Sequence, residues 1–233
     1  MHTQLRENLD RVRETIAEAA KASGRVADDV CLIGVTKYVD TETTAALLEL
    51  GCRDLGESRP QQLWSKSEAL ADQSPRWHMI GHLQRNKAKR TIPLLSVLHS
   101  GDSLRLLQAA HDEWPHSQPL RALIEVNISG DAAKHGFTPT EIAPALRQIA
   151  ALSHLKIVGL MGMASREGGR DQAQHDFAAL RELRDKLRVD CPDEITLDEL
   201  SMGMSHDFDL AIREGATMVR VGSTLFEGVD GGR

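Results

Sequence analysis

The chain has 233 residues, 41% of them hydrophobic, with 28 Lys and Arg against 34 Asp and Glu, a net charge of -6 at neutral pH. That length and apolar share suit a soluble globular protein with a real core, and the acidic balance leaves no whole-chain electrostatic footprint for nucleic acid or an anionic membrane. Cys31, Cys52 and Cys191 are too widely spaced for a disulfide framework or a zinc finger, the N-terminus does not read as a signal peptide, and no apolar run reaches membrane-spanning length. A cytoplasmic protein is expected.

In chain order, Leu5, Leu9, Val12, Ile16 and Ala19 or Ala20 recur at helical spacing over Leu5 to Ala22, with Gly24 as a stop signal. Short β-rich runs then alternate with helical patterns. The β-rich runs are VCLIGVTK from Val30, RDLGES from Arg53, WHMIGH from Trp77, SVLHSGD from Ser96, LRALIEVNIS from Leu120, LKIVGLMGM from Leu155, DELSMGMS from Asp198 and TMVRVGSTLF from Thr217. The helical patterns between them include TETTAALLELG, PQQLWSKSEALA, SLRLLQAAHDEW, TPTEIAPALRQIAAL, DQAQHDFAALRELRDKL and HDFDLAIREGA, several opened by Ser, Thr or Asp as N-caps.

Strands alternating with helices imply right-handed βαβ crossovers and a parallel sheet. Eight such units predict an α/β fold, a single (β/α)₈ barrel with an extra N-terminal helix, occupying residues 1–233 as one domain. An open doubly wound sheet is the runner-up, but no G-x-G-x-x-G follows VCLIGV.

In such a barrel, function lies in the loops at the C-terminal ends of the strands. Lys37 ends the first β-rich run. It reads either as a lysine that snorkels or pairs with a carboxylate, or as an amine activated in a partly dry site to form an imine with an aldehyde. The run LSMGMSHDF sets Ser201, Met202 and Ser205 around Gly203, ahead of a helix expected to begin near His206; VRVGSTLF sets Gly222, Ser223 and Thr224 after Arg220. Glycine and small hydroxyl residues let backbone amides approach a phosphate, and the loops after strands seven and eight are its usual place in this fold. Arg220 inside an apolar strand needs a partner: a structural ion pair, or a ring nitrogen of a ligand, which an always-protonated donor would keep unprotonated. His78 and His82 read more readily as hydrogen-bonded structural histidines than as proton shuttles, and with no companion at ligand spacing they indicate no metal. The basic run QRNKAKR, Gln84 to Arg90, reads as a solvated helix face, since it has no interleaved aromatics.

Several segments carry a resemblance: TK after the first strand, GES at Gly56 to Ser58, WHMIGHLQRNK at Trp77 to Lys87, HSGDS at His99 to Ser103, VNIS with a later KHGF, GLMGM at Gly159 to Met163, and LSMGMSHDFDLAIREGATMVRVGSTLF at Leu200 to Phe226. In this order they closely resemble the pyridoxal phosphate homeostasis proteins. The resemblance implies a lone barrel like the N-terminal domain of alanine racemase, holding pyridoxal 5′-phosphate as an internal aldimine and keeping the intracellular supply of that cofactor balanced. Carried over by position, it makes Lys37 the Schiff-base lysine, Ser205, Gly222 and Ser223 phosphate contacts, and Arg220 the partner of the pyridine nitrogen. Ser201, Met202 and Ser58 complete the cofactor-binding set, Ser58 standing where the family usually has Asn, and Tyr38-Val39-Asp40 replaces the proline many members carry after the lysine.

A racemase needs a base on each face of the aldimine, and in that superfamily the second is a tyrosine of the partner subunit's additional domain. The only tyrosine here is Tyr38, expected on the strand face opposite Lys37. The reading is therefore a monomeric, non-catalytic cofactor-binding protein with no catalytic residues, no metal, and no nucleic-acid or membrane partner. It would deliver the cofactor to apo-enzymes. The alternative is a racemase-like enzyme acting on amino acids.

Overall fold

Every β-rich run becomes a strand in the computed structural model, which describes residues 1–131, 134–165 and 167–229. The strands are β1 (Cys31–Val35), β2 (Asp54–Glu57), β3 (Arg76–Met79), β4 (Val97–Gly101), β5 (Leu120–Val126), β6 (Leu155–Gly162), β7 (Glu199–Met204) and β8 (Met218–Val221). Each pairs in parallel with its sequence neighbours, and β1 with β8, so the sheet closes as an eight-stranded barrel.

The helices are α1 (His2–Ala22), α2 (Thr41–Glu49), α3 (Pro60–Ala69), α4 (Arg85–Thr91), α5 (Leu104–Glu113), α6 (Pro139–Ala150), α7 (Gly169–Arg188) and α8 (Phe208–Arg213). Their starts follow local chemistry. Asp40 accepts the Thr43 amide at 2.8 Å at the head of α2, and Thr138 with Glu141 forms a capping box on α6. No helix among the described residues is long and apolar enough to cross a membrane.

Helices α2 to α8 each follow a strand, whereas α1 comes first in the chain and packs against α8 and α2, taking the place of a helix after β8. Its stripe Leu5, Leu9, Val12 and Ile16 is buried, each side chain contributing roughly 1.5–3 kcal/mol by leaving water. Asn8, fully buried on the same helix, donates to the Leu225 and Glu227 carbonyls at 3.0 and 2.8 Å and ties the turn after β8 to α1.

Strand alternation sorts side chains into two cores. Leu55, Leu98, Leu160, Leu200, Met202 and Val219 face the helices, while Ile33, Val97, Leu123, Val158, Met161 and Met218 pack together inside the barrel. Other interior positions, His78, His99, Ser201 and Arg220, are polar and buried.

Candidate functional site

Strand β1 stops at Val35, two residues before the sequence pattern predicts, so Lys37 stands in the turn above the strand. The reason is a buried cluster beneath it. Lys66 of α3 donates to the Thr36 carbonyl and to Glu57 Oε1, both at 2.6 Å, and the Thr36 hydroxyl donates to the same carboxylate oxygen at 2.7 Å. The Thr36 carbonyl also accepts the Val39 amide at 3.1 Å, closing the turn. The Lys66–Glu57 pair is almost wholly out of water, with 6% and 0% side-chain exposure. It clamps the backbone immediately before the half-buried Lys37. In that turn the neighbouring side chains are not opposed as they would be along a strand: Lys37 Nζ lies 4.9 Å from the centroid of the exposed Tyr38 ring.

Beside β1, the ends of β7 and β8 form a small polar cradle. The Gly222 amide donates to Ser205 Oγ at 3.0 Å, and Thr224 Oγ1 donates to the Ser205 carbonyl at 3.2 Å. A turn starts there, with the Leu225 amide bonded to the Gly222 carbonyl at 2.9 Å. The Ser223 and Thr224 amides enter none of the hydrogen bonds among the described residues. A side chain at Gly222 would put its Cβ 3.2 Å from the Val35 carbonyl oxygen, so glycine keeps this turn tight against β1. The following helix, α8, begins at Phe208, two residues past His206, where Asp207 folds back to accept the Met204 amide at 2.6 Å. A carboxylate already sits there, so anion-binding capacity rests on the turn after β8.

Arg220 points into the barrel with 4% exposure and donates to Ser201 Oγ at 2.5 Å and to the Gly162 carbonyl at 3.0 Å. Burial lowers the guanidinium to about 10, so it stays cationic at neutral pH. Behind it runs a chain of buried groups: Ser201 Oγ to His99 Nδ1 at 2.9 Å, His99 Nε2 to His78 Nδ1 at 2.8 Å, His78 Nε2 to Asp54 Oδ1 at 3.0 Å. Asp54 is gripped by Arg76 through two further bonds of 2.7 and 2.5 Å.

Charge fixes the direction of this chain. Burial alone would raise the Asp54 carboxyl, but its hydrogen bonds from Arg76 and His78 outweigh that and hold it well below the usual carboxylate range. His99 is driven well below its ordinary value by burial, with His78 and Arg220 adding to the effect, and is neutral. An arginine at one end can only donate and a carboxylate at the other can only accept. The tautomers follow by inference: Arg220 donates to Ser201, Ser201 to His99, His99 to His78 and His78 to Asp54. The relay ends at the opposite mouth of the barrel, where Asp54, Arg76 and Cys31 line a cavity of about 410 Å³.

Of the residues singled out in the sequence, Lys37, Ser205, Arg220, Gly222 and Ser223 gather around β1, β7 and β8. Ser58 follows β2 and packs against Gly81, where an added Cβ would lie 2.5 Å from the Ser58 carbonyl oxygen. Ser201 is fully buried as the support of Arg220, behind the cradle. Met202 faces the helices with no exposure, because alternation turns it away from Ser201, and its side chain does not line the mouth. His78 and His99 are hydrogen-bonded interior residues, as the plainer reading of His78 expects. The run after β3 forms α4, with Lys89 and Arg90 exposed and the Arg90 guanidinium 4.3 Å from the Trp64 ring centroid. Lys66 and Asp54 carried no motif signal; only spatial partners reveal them.

A closed barrel with a lysine just above β1 and a hydroxyl-and-amide cradle above β7 and β8 is an architecture of the alanine racemase type, and residues 3–229 match the family model described as alanine racemase, N-terminal domain. The pyridoxal phosphate homeostasis protein of Pseudomonas aeruginosa is 37% identical over 230 residues, covering 97% of this chain and 96% of that protein. Its Aquifex aeolicus counterpart is 36% identical over 221 residues, covering 94% and 96%. The PipY protein of Synechococcus elongatus, solved with PLP bound, superposes with a TM-score of 0.79 at 31% identity, covering 91% of this chain and 99% of that one. The chain belongs to the pyridoxal phosphate homeostasis protein family.

Proposed function

We propose that this protein binds pyridoxal 5′-phosphate and acts in balancing its intracellular supply, with Lys37 Nζ as the amine that condenses with the cofactor's aldehyde. One observation carries the reading: a half-buried lysine held above β1 by the Lys66–Glu57 clamp, beside a turn after β8 whose Ser223 and Thr224 amides bond to none of the described residues. These residues fit the group. The Ser223 and Thr224 amides, with the Ser205 and Ser223 hydroxyls, suit a phosphate, and glycine at 222 lets the turn that carries them pack against Val35. Arg220, cationic and fixed by Ser201 and Gly162, suits a pyridine nitrogen as a donor. When bound, the cofactor supplies an electrophilic carbon and a conjugated ring; a permanent donor at its nitrogen keeps that ring a weak electron sink.

A holding role suits this site better than racemisation. Tyr38, the chain's only tyrosine, lies against the lysine itself and is 68% exposed, so it offers no base from the opposite side. The protein would hold the cofactor as the lysine imine and release it to apo-enzymes. The test is the near-ultraviolet and visible spectrum of purified protein before and after borohydride, with Lys37→Ala alongside. A reducible band absent from the variant supports the reading. A wild type that stays colourless after incubation with pyridoxal phosphate overturns it, and enzyme-like conversion of L-alanine to D-alanine would replace the holding role with catalysis.

A further inference from the structure

Across the mouth from the lysine and the phosphate cradle, the loops after β3, β4 and β5 bring His82, Asp102 and His135 together. One ligand atom from each lies within 4.8 Å of the other two. In the closed strand order β4 stands opposite β8, so this cluster shares no residue with the cofactor set. His82, without a companion at ligand spacing in the sequence, acquires two in space.

Each ligand is placed by its own backbone. Gly81 packs so tightly on Ser58 that any side chain there would collide, which sets the start of the His82 loop. Asp102 follows β4 directly, and its Oδ1 accepts the Ser103 hydroxyl at 3.0 Å, leaving Oδ2 aimed at His82 Nδ1 at 2.6 Å. After β5 the chain comes back to pair in parallel through an isolated bridge between Val126 and Phe137. Gly136, at φ +110, makes that return; a Cβ there would lie 2.9 Å from the Glu125 carbonyl oxygen. His135 thereby stacks on His82, ring centroids 4.1 Å apart and planes 14° apart, which brings the two imidazoles together, and one ring must turn out of the stack for both in-plane lone pairs to meet a single ion.

We propose that His82, Asp102 and His135 form a binding site for a divalent transition-metal ion, with zinc the fitting ion. Two imidazoles and one carboxylate are a nitrogen-rich, borderline donor set that suits zinc and its neighbours in the first transition series and not calcium or magnesium. Three protein ligands leave a fourth position for water or a small anion. The hydrogen bond from Ser103 supplies the outer support that orients a ligating carboxylate. The His82–Asp102 hydrogen bond marks where the ion would replace a shared proton. The carboxylate is largely shielded, with 6% side-chain exposure, while His82 at 44% leaves an entry path.

This site does not depend on the cofactor reading, and its test is run on cofactor-free protein. After chelator treatment and removal of any affinity tag, the chain is titrated with Zn²⁺ against a chromophoric chelator and with Co²⁺ by visible absorbance. One equivalent of Zn²⁺, with Co²⁺ absorption of low-symmetry four- or five-coordinate type, is expected. His135→Ala and Asp102→Asn should each weaken Zn²⁺ by about 100-fold or more, since even supporting groups around metal ligands are worth 10–100-fold. His135 is exposed, so its variant keeps the fold, checked by far-ultraviolet circular dichroism. Absence of stoichiometric Zn²⁺ binding overturns the proposal. So does equal affinity in wild type and His135→Ala, which would put the ion elsewhere on the surface.

Discussion

Replacing His99 by Leu tests the barrel relay most directly. The side chain has no exposure and stands between two buried partners, Ser201 Oγ at 2.9 Å and His78 Nδ1 at 2.8 Å. Leucine roughly conserves volume, so the main loss is polar: the Ser201 hydroxyl donor and the His78 acceptor are left without partners in a dry interior. Each orphaned group costs about 1–3 kcal/mol, giving roughly 2–6 kcal/mol from equilibrium urea unfolding, a large share of a typical domain's stability. Ser201→Ala removes one orphan before it is made, so Ser201→Ala with His99→Leu should cost less than the sum of the single changes by at least about 1 kcal/mol. A second readout follows Arg220, which leans on Ser201: the visible band of bound pyridoxal phosphate should shift in His99→Leu. Additivity within about 0.5 kcal/mol together with an unmoved band would refute the relay as a connected unit.

Further outcomes are expected elsewhere. Lys66→Met strands the Glu57 carboxylate and frees the Thr36 carbonyl, so it should cost roughly 3–5 kcal/mol in urea unfolding and weaken retention of pyridoxal phosphate; an unchanged midpoint would count against the clamp. Glu125 is pushed up to about 7 by its burial and by Asp102. A carboxyl raised above its unfolded value of about 4.3 makes ionisation oppose folding, so this group's effect is absent below about pH 4, grows as pH rises, and levels off above about pH 7. Glu125→Gln in chelator-treated protein should flatten that fall, which amounts to up to roughly 4 kcal/mol; a variant with the wild-type pH slope would contradict it. Gly222→Ala should weaken pyridoxal 5′-phosphate more than unphosphorylated pyridoxal, measured by competition, because the added methyl lies against Val35 and moves the turn proposed to hold the phosphate.

Much of the barrel could be read along the chain because its signals are local. Turn residues and runs of Val, Ile and Leu mark each strand, helical spacing marks each helix, and Lys37, Ser205, Gly222 and Ser223 lie just beyond strand ends, where a barrel collects its functional groups. Strand β1 stops short of Lys37 because what ends it, Lys66, comes from the third helix. Helix α8 starts two residues past His206, where Asp207 turns back on Met204.

The order of elements and the kinds of side chain delivered to the mouth are written along the chain. Which of them meet depends on how the barrel closes. Register and parity turn Ser201 inward to Arg220 and Met202 outward to the helices, one residue apart. The relay joins positions 21 and 102 residues distant along the chain, and His82 meets Asp102 and His135 only because β3, β4 and β5 lie side by side. No periodicity encodes such pairings. They arise when closing the sheet brings distant strands to one face and burial requires every polar group there to find a partner.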